Sequence, residues 1–295
     1  MKSLICVAII LEAFHSILTF FSLSTKTFVL FASPEVTKLI IFSQPRTGST
    51  YLCELLSHYP DTAMLGELFK RKFRKDVLGN ENIPSDILEK RIIKPDVFLN
   101  WTWSMFERGN HKIVGFKIFG SHLERNNAIS LLVKGTREAR KIVLYRSDFL
   151  AEYASKRTAS SRGDFSSVKN HTEKRIISVE KSGFNYFVTE TLTWYQQIIT
   201  ILDQTKQNYF VVEYGRDLMT QESTENMFKR LEVYLNFSNS KSDLFSPPVR
   251  NMKQSKWPLN ETISNWDNIL DIREKYDQIY YSIHEFISLL KPSVS

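Results

Sequence analysis

Lys38-Leu39-Ile40-Ile41-Phe42-Ser43, running straight into Gln44-Pro45-Arg46-Thr47-Gly48-Ser49-Thr50, is the stretch that decides the fold. A short, unbroken apolar run that stops abruptly at Pro and Gly reads as a strand buried on both faces, the kind found in parallel sheets. Residues 50–59 then place Leu52, Leu55 and Leu56 on one helical face, and Pro60-Asp61 closes the helix. The unit is strand, loop, helix.

Working outward, runs at 113–119, 141–145 and 209–214 carry the same strand character, and helical patterns at 189–202 and 224–235 lie among them. Strands alternating with helices predict an α/β fold: a three-layer, P-loop-like sandwich with a mainly parallel central sheet. The tail at 264–290 reads as one long helix. Residues 80–95, rich in Asn, Pro and charge, read as a mobile insertion. An apolar N-terminal segment, 1–33, is expected to precede a domain over 34–295.

With 42% hydrophobic residues in 295, the chain can bury a large core. A net charge of +7 tilts its surface toward anionic partners. Nucleic acid ranks last among these, because charge alone supports it and no nucleic-acid-binding module is recognisable. Cys6 and Cys53 are its two cysteines, so neither a disulfide framework nor a cysteine metal site is readable. Residues 4–23 are mostly apolar and long enough to span a bilayer, yet Glu12 and His15 lie near their middle. A signal anchor and an amphipathic helix on the core or on a membrane surface therefore both stand as readings. Sequons at Asn100, Asn170, Asn236 and Asn260 would be used if the domain is lumenal, which tips the expectation toward a Golgi-type anchor over a cytoplasmic protein.

A loop of Gly, Ser and Thr between a buried strand and a helix offers backbone N–H groups and hydroxyls where the helix dipole favours an anion. This loop lacks the Lys-Ser/Thr pair and the spacing of an ATP or GTP loop. The segment Pro45-Arg46-Thr47-Gly48-Ser49-Thr50-Tyr51-Leu52-Cys53-Glu54-Leu55-Leu56 resembles the 5′-phosphosulfate loop of sulfotransferases, most nearly the bacterial trehalose and nodulation-factor type. Val143-Leu144-Tyr145-Arg146, with Ser155 on the next helix, is similar to that family's 3′-phosphate site, although soluble aryl members space the pair more closely. Val212-Glu213-Tyr214-Gly215-Arg216-Asp217-Leu218 looks like a family segment that mostly serves structure. The stretch 250–257, ahead of Ile263-Ser264-Asn265-Trp266, resembles a late basic loop over the nucleotide and makes Lys253 and Lys256 candidate contacts.

The resemblance implies transfer of a sulfuryl group from 3′-phosphoadenylyl sulfate (PAPS) to a hydroxyl on a glycan, with Arg46, Thr47, Gly48, Ser49, Thr50, Arg146 and Ser155 holding the donor. In-line transfer needs stabilisation of the sulfuryl and leaving oxygens and a base for the hydroxyl proton; no metal is expected. Arg46 stands where soluble members usually carry Lys, and its guanidinium stays charged. Glu67, in Gly66-Glu67-Leu68-Phe69, is the favoured base, because trehalose-type enzymes use a Glu shortly after the first helix. Burial among Met64, Leu65, Leu68 and Phe69 is expected to raise its pKa. The bland alternative pairs it with Lys70 or Arg71. His122 is the second candidate base, and the basic run at 70–75 is a candidate lip for an anionic acceptor. A P-loop small-molecule kinase and a non-catalytic binding relative are the competing classes.

Overall fold

The computed structural model describes residues 36–70, 78, 83–107, 109, 111–122, 128–163, 173–236 and 257–272. The N-terminal segment 1–33, Lys253, Lys256, Asn170 and residues 71–75 of the basic run lie outside them. In chain order the elements are β1 (Thr37–Phe42), α1 (Ser49–Ser57), β2 (Thr62–Met64), α2 (Ser85–Ile93), α3 (Pro95–Glu107), β3 (Ile113–Ile118) and α4 (Ala128–Gly135). They continue with β4 (Arg140–Tyr145), α5 (Phe149–Arg162), α6 (Lys181–Gln204), β5 (Tyr209–Glu213), α7 (Tyr214–Asp217), α8 (Gln221–Leu235) and α9 (Leu259–Thr262).

The five strands form one sheet in the order β2-β3-β1-β4-β5, every pairing parallel. Alternation along β1 explains why both of its faces are apolar. Ile40 and Phe42 pack with Phe98, Trp103, Leu132 and Ile198 from α3, α4 and α6. Leu39 and Ile41 pack on the other side with Leu52, Leu56, Phe228 and Leu231 from α1 and α8. Helices thus cover both faces, giving a three-layer α/β sandwich. Truncating a fully buried ring such as Phe116 to Ala removes roughly 3–5 kcal/mol. A smaller cluster joins α5 and the start of α6 to Ile177, Val179, Ile263, Ile269 and Ile272.

Polar residues inside this frame have local reasons. Lys141, fully buried at the start of β4, donates its Nζ to the carbonyls of Thr136 and Ala139 in the turn after α4, and burial pulls its pKa down to about 8. It closes the end of the sheet remote from the loop that joins β1 to α1.

Two expectations are corrected. Within 80–95, Ser85–Ile93 is the helix α2 and Pro95 opens α3, because Pro fits the first turn of a helix, where no N–H donor is needed. At 264–290 no long helix starts at Ser264. Ile263 bridges Ile177 in parallel, Ser264 donates its N–H to Ile177 O, and a single 3₁₀ turn, Trp266–Ile269, follows. Residues 273–290 lie outside the described set. Among the described residues no helix is long and apolar enough to cross a membrane.

Candidate functional site

Pairing between β1 and β4 ends at Phe42↔Val143, whereas β4 and β5 stay paired through Tyr145↔Glu213. The carboxyl ends of β1 and β4 therefore diverge at the point where the strand order reverses, which is where open α/β sheets bind ligands. The hydroxyl of Tyr195, from α6, fills the divergence: it donates to Leu144 O at 2.7 Å and accepts from Gln44 N at 3.1 Å. The loop at 44–48 hangs from this junction.

Arg46 and Gly48 both take left-handed φ, 76° and 83°, and Gly48 is the N-cap of α1. No side chain caps that helix and its first turn carries no acid, an arrangement that suits an anion at its leading N–H groups. Glycine is required at the cap. A Cβ at Gly48 would lie 2.5 Å from Tyr214 Cδ2. The neighbouring α5 is different, because Asp148 caps it by accepting from Ala151 N at 2.8 Å. Thr47 is fully buried and its hydroxyl donates back to Gln44 O at 2.8 Å, so this hydroxyl braces the loop and does not reach toward a ligand.

The two expected phosphate subsites adjoin. Arg46 Nε donates to Ser155 Oγ on α5 at 3.0 Å. The guanidinium of Arg146, just beyond β4, stacks on Tyr214, 4.9 Å from the ring centre. Tyr214 thus lies against both the loop glycine and the second arginine. Glu213 fixes this arrangement: Oε1 accepts from Ser147 Oγ at 2.8 Å and Gly215 N at 2.9 Å, and Oε2 accepts from Arg216 N. Through Glu213 the 212–218 segment ties its own turn to Ser147 beyond β4.

Glu67 is brought to the loop by the sheet. Leu65 N donates to Gly115 O at 2.7 Å and Lys117 N to Gly66 O at 2.8 Å, so the chain tracks β3 beyond β2 before Gly66, at φ 67°, turns it. Strand alternation puts Lys117 on the α1 face, where its nearly buried Nζ donates to Thr50 Oγ1 at 2.7 Å and stands 3.5 Å from Glu67 Oε1. Glu67 Oε2 stands 3.7 Å from both Lys70 Nζ and His122 Nε2. Three nitrogen groups therefore face the carboxylate that was expected among apolar neighbours. The pairing with Lys70 exists, but Lys117 links the same carboxylate to Thr50 in the first turn of α1.

His122 is held differently from a base. Its Nδ1 accepts from Phe119 N at 3.2 Å, so the neutral ring carries its proton on Nε2, toward Glu67. Burial drives its pKa down to about 4, with Lys70, Lys117 and Arg91 opposing the charge further and Glu67 favouring it. A neutral imidazole so placed has no lone pair left for a hydroxyl. Cys53, buried beneath, has its thiol pushed up to about 11 and is unreactive.

Lys117, Tyr195 and Tyr214 were not singled out from sequence. A lysine inside an otherwise apolar strand was the available signal for Lys117; the tyrosines gave none beyond ordinary core aromatics. No family model matches the chain, and no curated protein matches it.

Proposed function

We propose that this chain is a sulfotransferase that transfers a sulfuryl group from PAPS to a hydroxyl of a carbohydrate or glycoconjugate. The observation carrying the reading is Lys117, which joins the phosphate loop at Thr50 to the carboxylate of Glu67. A base, a cation and an anion cradle then share one crevice. The uncapped start of α1 suits the 5′-phosphosulfate end of the donor. Arg146 suits its 3′-phosphate, having a buried Nε that no described residue accepts from. Ser155, touching Arg46, ties the helix after Arg146 to the loop before α1, which suits a donor with both a 5′-phosphosulfate and a 3′-phosphate.

In the reaction the acceptor oxygen attacks sulfur in line, and the bond from sulfur to the bridging phosphate oxygen breaks. That oxygen leaves with the electron pair on adenosine 3′,5′-bisphosphate, and Glu67 takes the hydroxyl proton. Arg46 and Lys117 offset charge on the sulfuryl and bridging oxygens as the bond breaks. With Nδ1 taken by Phe119 N and Nε2 facing Glu67 at 3.7 Å, His122 serves as a neighbour of Glu67 and not as the base.

Calorimetric titration with adenosine 3′,5′-bisphosphate and, separately, with Mg-ATP tests the assignment. The bisphosphate should bind at least tenfold tighter, and Arg46→Ala and Arg146→Ala should each weaken it tenfold or more through loss of charge-assisted hydrogen bonds. Preference for Mg-ATP, or unchanged bisphosphate affinity in both variants, would defeat the reading and favour a kinase.

A further inference from the structure

Glu152 stands out from every other carboxylate described. It lies in the first turn of α5, has no exposed surface, and neither of its oxygens has a hydrogen-bond partner among the described residues. Two other buried polar atoms, just past the carboxyl ends of the paired strands β1 and β4, share this state: Ser43 Oγ and Arg146 Nε. Ser155, which accepts from Arg46, is three residues further along α5 and so on the same helical face as Glu152. The charged and titratable groups acting on Glu152 are Arg146 from the β4 end, Asp148 and Lys156 from its own helix, and Tyr195 from α6. Unpartnered donors and acceptors of this kind are costly in a folded core, and a ligand or a proton must account for them.

We propose that Glu152 is a positioning residue of the anion site, holding Arg146 available to a phosphate or sulfate while its own carboxyl is protonated, and that loss of this proton weakens anion binding. The inference rests on the reading of this crevice as an anion site. A carboxylate without hydrogen bonds is disfavoured in the interior, so the neutral acid is the ground state; burial raises its pKa to about 8, against the lowering pull of Arg146 and Lys156. In that state Arg146 keeps its full charge for a ligand. Once ionised, Glu152 offers Arg146 an internal counter-ion and repels an incoming anion. By linkage, a bound anion must in turn hold the proton on Glu152.

The experiment measures binding of adenosine 3′,5′-bisphosphate, and of inorganic sulfate, whose charge is constant, at pH 7, 8 and 9. Wild type and Glu152→Gln are compared, and proton uptake is read with wild type at pH 8 in buffers of different ionisation enthalpy. Wild-type affinity for both anions should fall about fivefold to tenfold from pH 7 to 9, with uptake of a substantial fraction of a proton, while Glu152→Gln changes less than twofold. The proton-uptake measurement uses the unaltered protein, so it decides the matter even if the variant does not fold. Matching pH profiles in the two proteins, or no proton uptake, would overturn the proposal while leaving the nucleotide reading intact. Sulfate binding that shows the expected pH dependence without any bisphosphate binding would support Glu152 and remove the nucleotide. If neither anion binds at any pH, both readings fall.

Discussion

Glu67 and His122 face each other at 3.7 Å, yet only one of them retains a lone pair for a substrate hydroxyl. Glu67→Gln keeps the shape and removes the acceptor, so turnover should fall by roughly 10² to 10⁴ while bisphosphate affinity stays within about twofold. His122→Asn should cost much less than that. Steady-state kinetics with labelled PAPS check both, and the reverse ranking would make the imidazole the base. Both candidates were readable in sequence as chemistry-bearing residues near the loop. What could not be read was the backbone N–H of Phe119, which decides the matter by occupying Nδ1, because the 3₁₀ turn Gly120–His122 that creates this contact has no signature of its own.

At the scale of elements, the loop before α1 suits an anion because α1 begins with no side-chain cap, whereas Asp148 caps the neighbouring α5. Gly48 permits this by combining φ 83° with close approach to Tyr214. Gly48→Ala should cost about 1–3 kcal/mol from the strained backbone alone. It should also push Tyr214 off Arg146, weakening bisphosphate binding about tenfold, the scale of a lost charge-assisted contact. Urea unfolding and calorimetry on the same variant read the two effects, and an alanine protein of full stability and affinity would refute this account of the loop. Strand β1 and helix α1 were legible because continuous apolar character and a clean Leu52-Leu55-Leu56 face are local properties. The short strand β2 and helices α2, α3 and α4 were not. β2 is only three residues at a sheet edge, held by Gly115 and its neighbours on β3, and Ser85–Ile93 looked like a loop because its Asn- and Pro-rich flanks outweighed a weakly apolar nine-residue helix.

Across the whole molecule, two buried groups on different elements shape stability against pH in opposite directions. His122 has a folded pKa of about 4 below its ordinary 6.5, so its contribution is present above pH 6.5 and is lost as pH falls through 4. That difference corresponds to ~3 kcal/mol at most. Glu152 has a folded pKa of about 8 above its ordinary 4.5, so its contribution is present below pH 4.5 and is lost as pH rises to 8. Between pH 4.5 and 6.5 the two trends offset, so urea unfolding should show wild type nearly level there and losing stability from pH 6.5 to 8; Glu152→Gln should unmask a falling acid limb and flatten the alkaline one, whereas His122→Asn should make stability rise toward pH 4.5. Unchanged limbs in the two variants would show that other groups set the profile. The sequence by itself determined the α/β class and the β1-loop-α1 unit and named the candidate residues for an anion site, since burial pattern, Pro, Gly and residue type are all written along the chain. Only the tertiary structure decided which of those residues meet. Lys117 reaches Thr50 and Glu67 because alternation along β3 and parallel pairing with β1 set it on the α1 face. Arg46 meets Ser155, and Glu152 is buried with no hydrogen-bond partner among the described residues, because helices from distant parts of the chain close over the divergence of β1 and β4, a juxtaposition fixed by long-range packing that no local pattern encodes.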